Sequence, residues 1–497
     1  MPKSLVTVQY NMNAWQLGMS FESHAFLHSK MQLSESKFVF IAGLNDFVLG
    51  SKPYKYHLRG ISRNFRLLRK LNHELESNQF VDYTNPAQHT AARIRRKFAD
   101  IQFDSILFSS AEEFGVDINQ AKFAIKLALV DKYKAWNISE IENVHQSKEF
   151  LIAYLATYLT AKEIFSKGEY RYLNIFNSRF LNERATKDAA VTLGIEVFEF
   201  EQINARSDSF GLFRGSVHDY DARAEQARTQ YREAHASNIE MTNYREEWIK
   251  KRISGELQNY TKRQTKSKLP NIPSDQKILS CFLSSFDELV LAGYVEKDSD
   301  LNQSNALKKL SEEIAKNIEW TLVIRCHPNM LTRPKSEQNY WKEMLKDIKC
   351  IVVMPEEDID TYALIQESDL ILTFGSTVAV EALALGVPSI VAGKSLYHGH
   401  GMVPTVTSIE EILTCLASPP TIGLEQLSEL EAYSYHQLYG GLRFSYLKVR
   451  DDDLYTFNPP LLWRNSVAFA PERLLSILTT LYSKIHDLKK LNRFSIS

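Results

Sequence analysis

The first residues whose types and spacing indicate chemistry lie in LTFGSTVAVEALALGVPSIVAG, residues 372–393, where a strand pattern runs into a helix. Gly375 permits a sharp turn after the strand, and Ser376 or Thr377 can cap the helix. The N–H groups and positive dipole of a helix N-terminus bind anions such as phosphate. Glu381 lies one turn beyond Thr377, where a carboxylate can accept hydrogen bonds from ribose hydroxyls. A capped core helix with a solvated Glu381 is the alternative interpretation.

A histidine ends the next strand pattern of interest, LVIRCHPN at 322–329. Pro328 forces the chain out of the strand after His327. An imidazole at this place can donate to a diphosphate oxygen or stabilise a phosphate leaving group. Arg325 alternates onto the same side of the strand and would support the same negative charge. Taken alone, His327 would more often be a surface histidine before a turn.

Two further segments bring polar groups to strand ends. FLSSFDELVLAG, residues 282–293, runs from a strand into Ser284 and Ser285, which would contact phosphate or acceptor, or only precede a helix cap. The sequence VVMPEEDIDTYAL forms an acidic loop between a strand and a helix. Backbone groups of this loop, between Glu356 and Ile359, are placed to read the edge of a nucleobase.

The elements that must position these residues alternate between strand and helix patterns, which predicts parallel sheets covered on both faces. Ligands of such sheets bind beyond the carboxyl ends of the strands. The predicted strands are LVTVQY (5–10), FVFIAG (38–43), SILFSS (105–110), YLNIF (172–176), EVFEFE (196–201), KILSCFLSS (277–285), WTLVIRCHP (320–328), CIVVM (350–354), LILTF (370–374) and PSIVAG (388–393).

The chain has 497 residues, more than a single hydrophobic core usually serves. KLPNIPSDQK, with two prolines, separates two sets of alternating elements. We therefore expect an α/β protein with two doubly wound, Rossmann-type domains that face a cleft. The predicted divisions are an N-terminal domain at 1–268, a C-terminal domain at 269–460, and a helix at 461–497 that crosses back to brace the first domain.

Charge and composition exclude several classes of protein. The net charge of -1 provides no basic field to recruit nucleic acid. Four scattered cysteines without a CxxC pair predict reduced thiols, and no apolar run is long enough to span a bilayer. From these features we expect a cytoplasmic protein.

No cofactor or metal ion is expected. The acidic triplets DSD (298–300), DID (358–360) and DDD (451–453) are candidates for a metal site, but the first and last lack a preceding strand and are typical of solvated loops. HGHG at 398–401 has metal-like spacing without a third ligand nearby, so we interpret it as a glycine-rich loop beside the site.

Together, SSFDE, RCHPN, PEEDIDTYAL and FGSTVAVEA resemble the C-terminal, donor-binding half of GT-B glycosyltransferases, above all the group that builds bacterial capsules and surface polysaccharides. NSRFLNERATKDAAVTLGIEVFEFE and FRGSVHDYDA are similar to segments of the N-terminal half, and the resemblance covers most of residues 170–400. It implies a GT-B fold and metal-independent sugar transfer from a nucleotide-activated donor to a glycan or lipid-linked glycan acceptor.

The resemblance also implies roles for residues of the C-terminal half. It implies contact with the donor phosphates by His327, Ser376 and Thr377, and contact with the ribose by Glu381. The serines of SSFDE, Ser284 and Ser285, would line the cleft.

In the N-terminal half, the candidates for acceptor contact or base catalysis are Glu201, His218 and Asp219. Whether the anomeric configuration is retained or inverted stays open, as does the identity of the sugar.

Three alternative functions stay open. A nucleotide-sugar 2-epimerase uses the same architecture, and a CDP-glycerol-type phosphotransferase would also use a histidine-proline element. A non-catalytic nucleotide-sugar-binding subunit of a polysaccharide assembly complex is the alternative outside the enzymes. The basic stretches RNFRLLRK (63–70) and ARIRRKF (92–98) predict either peripheral contact with the inner face of a membrane or, as the favoured interpretation, solvated helix faces.

Overall fold

The protein is described here from a computed structural model. It describes residues 4–10, 14–41, 78–82, 84–98, 112–133, 147–203, 209–237, 243–257, 264–285, 303–316, 319–445, 447–449 and 455–457.

The first of two large sheets has seven strands in the order β13-β6-β5-β4-β1-β2-β3. Pairing is parallel from β5 to β3 and antiparallel where β6 and β13 extend the edge. The strands are β1 (Ser4–Gln9), β2 (Glu35–Phe40), β3 (Asn78–Asp82), β4 (Tyr172–Phe176), β5 (Glu196–Glu201), β6 (Ser209–Arg214) and β13 (Leu442–Arg443).

Helices cover both faces of this sheet because its central strands β1 and β4 are buried along their whole length. One apolar cluster includes Val6, Leu151 and Leu155, and another forms around Met19 and Phe200. The helices of this half are α1 (Ala14–Lys30), α2 (Thr84–Lys97), α3 (Ile118–Tyr133), α4 (Ser147–Ser166), α5 (Leu181–Thr192), α6 (Tyr220–Ser237) and α7 (Tyr244–Ile253).

The second large sheet is parallel throughout, with the order β12-β11-β10-β7-β8-β9. In the first sheet, the six strands β6-β5-β4-β1-β2-β3 follow one another in the same pattern. This pattern is the doubly wound arrangement. The predicted α/β class with two doubly wound sheets is confirmed. The strands are β7 (Lys277–Phe282), β8 (Trp320–Arg325), β9 (Ile351–Val353), β10 (Leu370–Thr373), β11 (Ser389–Ala392) and β12 (Thr405–Val406).

Local sequence explains where the elements of the second sheet end. Asp360 caps one helix by accepting from the N–H of Tyr362 at 2.9 Å, and Gly386 ends another with a φ of 81°. The helices are α8 (Gln303–Ile314), α9 (Lys335–Lys346), α10 (Thr361–Glu367), α11 (Val378–Ala384), α12 (Ile409–Ala417) and α13 (Leu424–Tyr439). A small antiparallel pair, β14 (Leu447–Val449) and β15 (Tyr455–Phe457), follows.

Two elements connect the sheets across the predicted boundary at residue 268. Helix α7 precedes the boundary, yet Trp248 and Ile249 pack in an apolar cluster of the second sheet. Helix α13 contacts both α6 and α7, and the chain then returns as β13 to pair with β6. The predicted crossing helix at 461–497 and the predicted strand at 105–110 lie outside the described residues. The domain boundaries stay a prediction.

The HGHG loop lies between the two halves of the chain. Arg228 of α6 pairs with Glu429 of α13 through Nε at 2.9 Å and donates to the carbonyl oxygen of Gly399 at 2.8 Å. His400 Nδ1 lies 3.0 Å from the same carboxylate. This loop therefore joins α6 to α13. The sequence predicted a glycine-rich loop beside the donor and did not indicate this contact between the two halves.

The basic stretches bear on the membrane prediction only in part, because 63–70 lies outside the described residues. In α2, Arg95 pairs with Glu149 at 2.9 Å and Lys97 pairs with Glu113. Acidic side chains thus offset part of this basic face. Within the described part of the chain, no helix is long and apolar enough to cross a membrane, and no group of three acidic, histidine or cysteine side chains could hold a metal ion.

We predict that Gly399→Ser lowers the free energy of unfolding by about 1 to 3 kcal/mol, the usual cost of overpacking. A Cβ at Gly399 would lie 2.3 Å from the carbonyl oxygen of Tyr220, which belongs to backbone and cannot rotate away. Urea unfolding measures the change. Gly423→Ser is the control, because its Cβ would meet nothing closer than 3.7 Å. Equal stabilities of the two variants would contradict the prediction.

Candidate functional site

A cleft opens at the carboxyl ends of β7, β8 and β10, where the order of the second sheet reverses. The chain proceeds from β7 through β8 to β9 on one side, and from β10 to β12 on the other. Ligands of open α/β sheets bind at this switch point. The cleft contains about 550 Å³ of space, part of it open solvent. Its polar lining comes from Arg252, Gln264, Arg325, His327, Thr361, Ser376, Thr377 and Glu381.

The turn between β10 and α11 places two hydroxyls in this cleft. Gly375 has a φ of 87°, which lets the chain turn directly after the buried strand. Ser376 Oγ accepts from the N–H of Val378 at 3.3 Å, so Ser376 supplies the predicted cap. Thr377 occupies the N-cap position but donates its hydroxyl to Glu381 Oε1 at 3.1 Å.

Glu381 is 2% exposed and is therefore not a solvated carboxylate. Its Oε1 accepts from Thr377 and from Nη2 of Arg252, which reaches across from α7. Tyr362 of α10 interacts electrostatically with both Glu381 and Arg252, and burial raises the pKa of its phenol. The carboxylate predicted to bind ribose thus belongs to a cluster that three elements form.

His327 follows β8 and caps the short turn Pro328–Thr332. Its Nδ1 accepts from the N–H of Asn329 at 3.1 Å. Because Nδ1 accepts, the proton of the neutral ring lies on Nε2, which makes Nε2 a hydrogen-bond donor. The half-buried ring lines the cleft beside Ser376 and Thr377.

Arg325 lines the same cleft and is 3% exposed. Its guanidinium donates to the carbonyl oxygens of Met354 at 2.8 Å and Glu357 at 3.3 Å. Burial lowers the pKa of Arg325. The side chain therefore fixes the loop after β9, in addition to bringing positive charge to the place predicted for phosphate.

The loop predicted to read a nucleobase has exposed and buried members. Glu356 is exposed and lies 3.9 Å from Lys342, whereas Ile359 is buried in the apolar cluster of the second sheet. The segment 264–268 runs beside this loop and takes part in its backbone hydrogen bonding, for example from Thr265 N–H to the carbonyl of Asp358 at 2.8 Å.

Gln264 from the same segment forms two bonds with Thr361, at 2.9 Å and 3.0 Å, and both residues line the cleft.

Ser284 and Ser285 are both buried, at 3% and 2% exposure. The side chain of Gln303 holds the backbone of Ser284, accepting from its N–H at 3.0 Å and donating to its carbonyl at 3.1 Å. Phe282 and Leu283, directly before them, line the cleft. The serines thus lie next to the cleft, while its wall here is apolar.

The carboxyl edge of the first sheet gathers the acceptor-side candidates. Asn177, after β4, donates to Glu201 Oε2 at the end of β5, and its Oδ1 lies 2.9 Å from His218 Nε2. Burial raises the pKa of Glu201 and lowers the pKa of His218 to about 4. At neutral pH the His218 ring is therefore uncharged and donates to the Asn177 amide.

Asp219 has a different environment from its neighbour His218. It is exposed, and its Oδ1 accepts from the N–H of Ala222 at 3.0 Å in the first turn of α6. The side chain is a helix cap.

Sequence patterns did not single out Glu183, which lies in the first turn of α5 at the edge where the first sheet reverses between β1 and β4. It is 7% exposed, and burial raises its pKa to about 7. Tyr10, which follows β1, lies close enough for the Glu183 charge to affect it and contacts Thr186 at 2.5 Å. Glu183 lies within the segment NSRFLNERATKDAAVTLGIEVFEFE, but the resemblance implies no role for it, so its burial and its place in the fold distinguish it.

Charged groups connect this edge to the cleft of the second sheet. Arg223 of α6 interacts electrostatically with Glu201 and with Tyr433 of α13. Tyr433 in turn interacts with Arg252 and Glu381, and burial raises the pKa of Tyr433 to about 12. Electrostatic interactions through Arg223 and Tyr433 therefore reach from one group of candidates to the other.

Comparison with known proteins adds little that bears on function. No curated protein matches the chain. A family described as a protein of unknown function (DUF354) matches residues 288–402, which is less than half of the chain. These residues include the turns that carry His327 and Ser376.

Solved structures with similarity include the KpsC β-Kdo 2,7 transferase of Thermosulfurimonas dismutans, at 19% identity, covering 55% of this chain and 80% of that chain with a TM-score of 0.30. The UDP-GlcNAc 2-epimerase of Neisseria meningitidis, bound to UDP-GlcNAc, is 11% identical. The match covers 86% of this chain and 94% of that chain, with a TM-score of 0.29. The α,α-trehalose 6-phosphate synthase of Burkholderia multivorans is 8% identical. The match covers 88% of this chain and 94% of that chain, with a TM-score of 0.33. Identities and TM-scores this low support no functional conclusion for the present chain.

We predict that Glu183→Gln gains stability relative to the wild type as pH rises. A carboxyl whose folded pKa is about 7 instead of 4.5 stabilises the fold below pH 4.5 and loses that contribution up to pH 7. The wild type should therefore lose about 3 kcal/mol relative to the variant between pH 4 and pH 8. Urea unfolding of the wild type and the variant between pH 4 and pH 8 measures this difference in the free energy of unfolding. The exposed Glu410, changed to Gln, is the control, and a parallel pH dependence of both variants would contradict the prediction.

Proposed function

We propose that the chain is a glycosyltransferase that moves a sugar from a nucleotide-activated donor to a glycan acceptor of the surface-polysaccharide type. The observation that carries the proposal is the convergence of His327, Ser376 and Thr377 on one cleft at the switch point of the second sheet. These residues come from two different strand ends and share a chemistry suited to phosphate.

The donor phosphates would lie against the turn between β10 and α11. The hydroxyl of Ser376 and the Nε2 proton of His327 would donate to phosphate oxygens, and Thr377 would do so by turning its hydroxyl away from Glu381. These donors also stabilise the negative charge that the phosphate gains when the sugar leaves. In this proposal the stabilisation needs no metal ion.

The ribose of the donor would bind at Glu381. A carboxylate has roughly four acceptor sites, and Glu381 accepts from Thr377 and Arg252. Acceptor capacity for a ribose hydroxyl therefore remains. The nucleobase would contact the loop at 356–359 and its neighbour Gln264.

The acceptor would bind at the edge of the first sheet, with Glu201 as the proton acceptor. Burial raises the pKa of Glu201, which makes its carboxylate a stronger proton acceptor, and Asn177 together with His218 orients that carboxylate. In the transfer, the acceptor oxygen bonds to the anomeric carbon while the bond from that carbon to the phosphate oxygen breaks. The acceptor proton moves to Glu201, and the bond electrons leave with the phosphate.

Calorimetric titration with UDP, GDP, CDP and CMP tests the donor site. We expect saturable binding of one nucleotide, weakened by a kcal/mol or more, on the order of tenfold, in His327→Ala and in Ser376→Ala, because each variant loses a charge-assisted hydrogen bond. His235→Ala is the control, because His235 is exposed on α6 away from the cleft residues. A folded wild type that binds none of the four nucleotides would overturn the donor site.

Turnover of the nucleotide sugar tests the reaction. We expect Glu201→Gln to reduce nucleotide release from the donor by about 10²-fold or more with donor affinity unchanged, as for loss of a catalytic base. Glu196→Gln is the matched control, because Glu196 begins the same strand and pairs with Arg214 at 2.7 Å. Epimer formation from the donor alone would instead establish the epimerase, and binding without turnover would establish the non-catalytic subunit.

A further inference from the structure

We propose that Arg252 binds a phosphate oxygen of the donor and that Glu381 positions its guanidinium; this inference rests on the proposed donor site. Neither the sequence motifs nor the comparisons assign a role to Arg252. It belongs to α7, which comes before both the predicted boundary and the first strand of the second sheet. The proposal adds a residue from outside that sheet to its ligand site.

Packing of α7 explains how Arg252 reaches the cleft. Tyr244, Trp248 and Ile249 lie in one apolar cluster with residues of the second sheet and α11. This places the last turn of α7 over the beginning of α11, where the guanidinium also lies 5.9 Å from the ring centroid of Trp248. The position of Arg252 is therefore fixed by buried surface and is not that of a mobile surface cation.

The distance between Arg252 and Thr377 carries the proposal. Nη2 of Arg252 lies 3.2 Å from Thr377 Oγ1 and also pairs with Glu381 Oε1. A phosphate oxygen that contacts the Thr377 side chain in the cleft is consequently within reach of the same guanidinium. Since a guanidinium has five N–H donors, it can keep its bond to Glu381 while it donates to a phosphate.

The other arginine of the cleft has a different task. Arg325 donates through both Nη1 and Nη2 to backbone carbonyls of the loop after β9. Arg252 instead contacts the Glu381 carboxylate and the Thr377 hydroxyl, with 18% of its side chain exposed. A half-open guanidinium that a buried carboxylate orients is the arrangement that recognises phosphate with defined geometry.

The test separates binding of the phosphates from binding of the nucleoside. The nucleoside diphosphate that binds best among UDP, GDP and CDP is titrated calorimetrically beside its own nucleoside. In Arg252→Gln we expect the affinity for the diphosphate to fall about tenfold to 10²-fold, the scale of a charge-assisted hydrogen bond. The affinity for the nucleoside should stay within twofold of the wild type. Arg252→Lys should recover part of the loss, because it restores the charge without the fork.

The matched control is Lys251→Gln, the neighbouring cation on α7, which pairs with Glu247 at 3.0 Å and leaves diphosphate affinity unchanged. Where the single variant does not fold, since an unpaired buried carboxylate is strongly destabilising, the double variant R252Q/E381Q is compared with E381Q. Both lack the carboxylate proposed to bind ribose, so the difference between them isolates the guanidinium. Equal loss for nucleoside and diphosphate, or no loss for either, overturns the role of Arg252 while the donor site stands. A folded wild type that binds no nucleotide overturns both.

Discussion

The buried ion pair between Arg252 and Glu381 is the interaction on which the geometry of the cleft depends. Glu381 is 2% exposed, and burying a carboxylate without a partner would cost several kcal/mol. Arg252 supplies the partner, and it arrives on a helix that packs against the second sheet. The same pair connects α7, α10 and α11 through Thr377 and Tyr362. A group that suits ligand binding therefore also determines where three helices meet.

The two sheets repeat one strand order, and this repetition explains why candidate residues occur in two groups. Each order reverses once, between β1 and β4 and between β7 and β10, and each reversal leaves a crevice at the carboxyl edge. Glu201 and His218 lie along the first edge, and His327 and Ser376 lie along the second. Electrostatic interactions through Arg223 of α6 and Tyr433 of α13 reach groups at both edges.

The sequence predicted most of the parallel strands because each is a short apolar run bounded by glycine, proline or polar turns. Strand β6 escaped notice because SFGLFR has a glycine at its centre and an arginine at its end, and β13 has only two residues. Site residues from strand ends were predictable, since their place follows from local pattern. Arg252 and Glu183 were not predictable. Their local sequences, KKRIS and NERAT, are typical of a solvated helix surface, and only packing against the rest of the protein buries these two side chains.

The return of the chain to the first sheet has a consequence for how the protein is made. Among the residues that the structure describes, β13 is the strand that pairs with the outer edge of β6, and Phe210 of β6 packs against Phe444 just beyond β13. During synthesis the whole second sheet leaves the ribosome before that partner does. Until then the groups of β6 that pair with β13 lack that partner, and an unpaired strand edge is a general site of pairing with other chains. Completion of the first sheet thus waits on translation of the second.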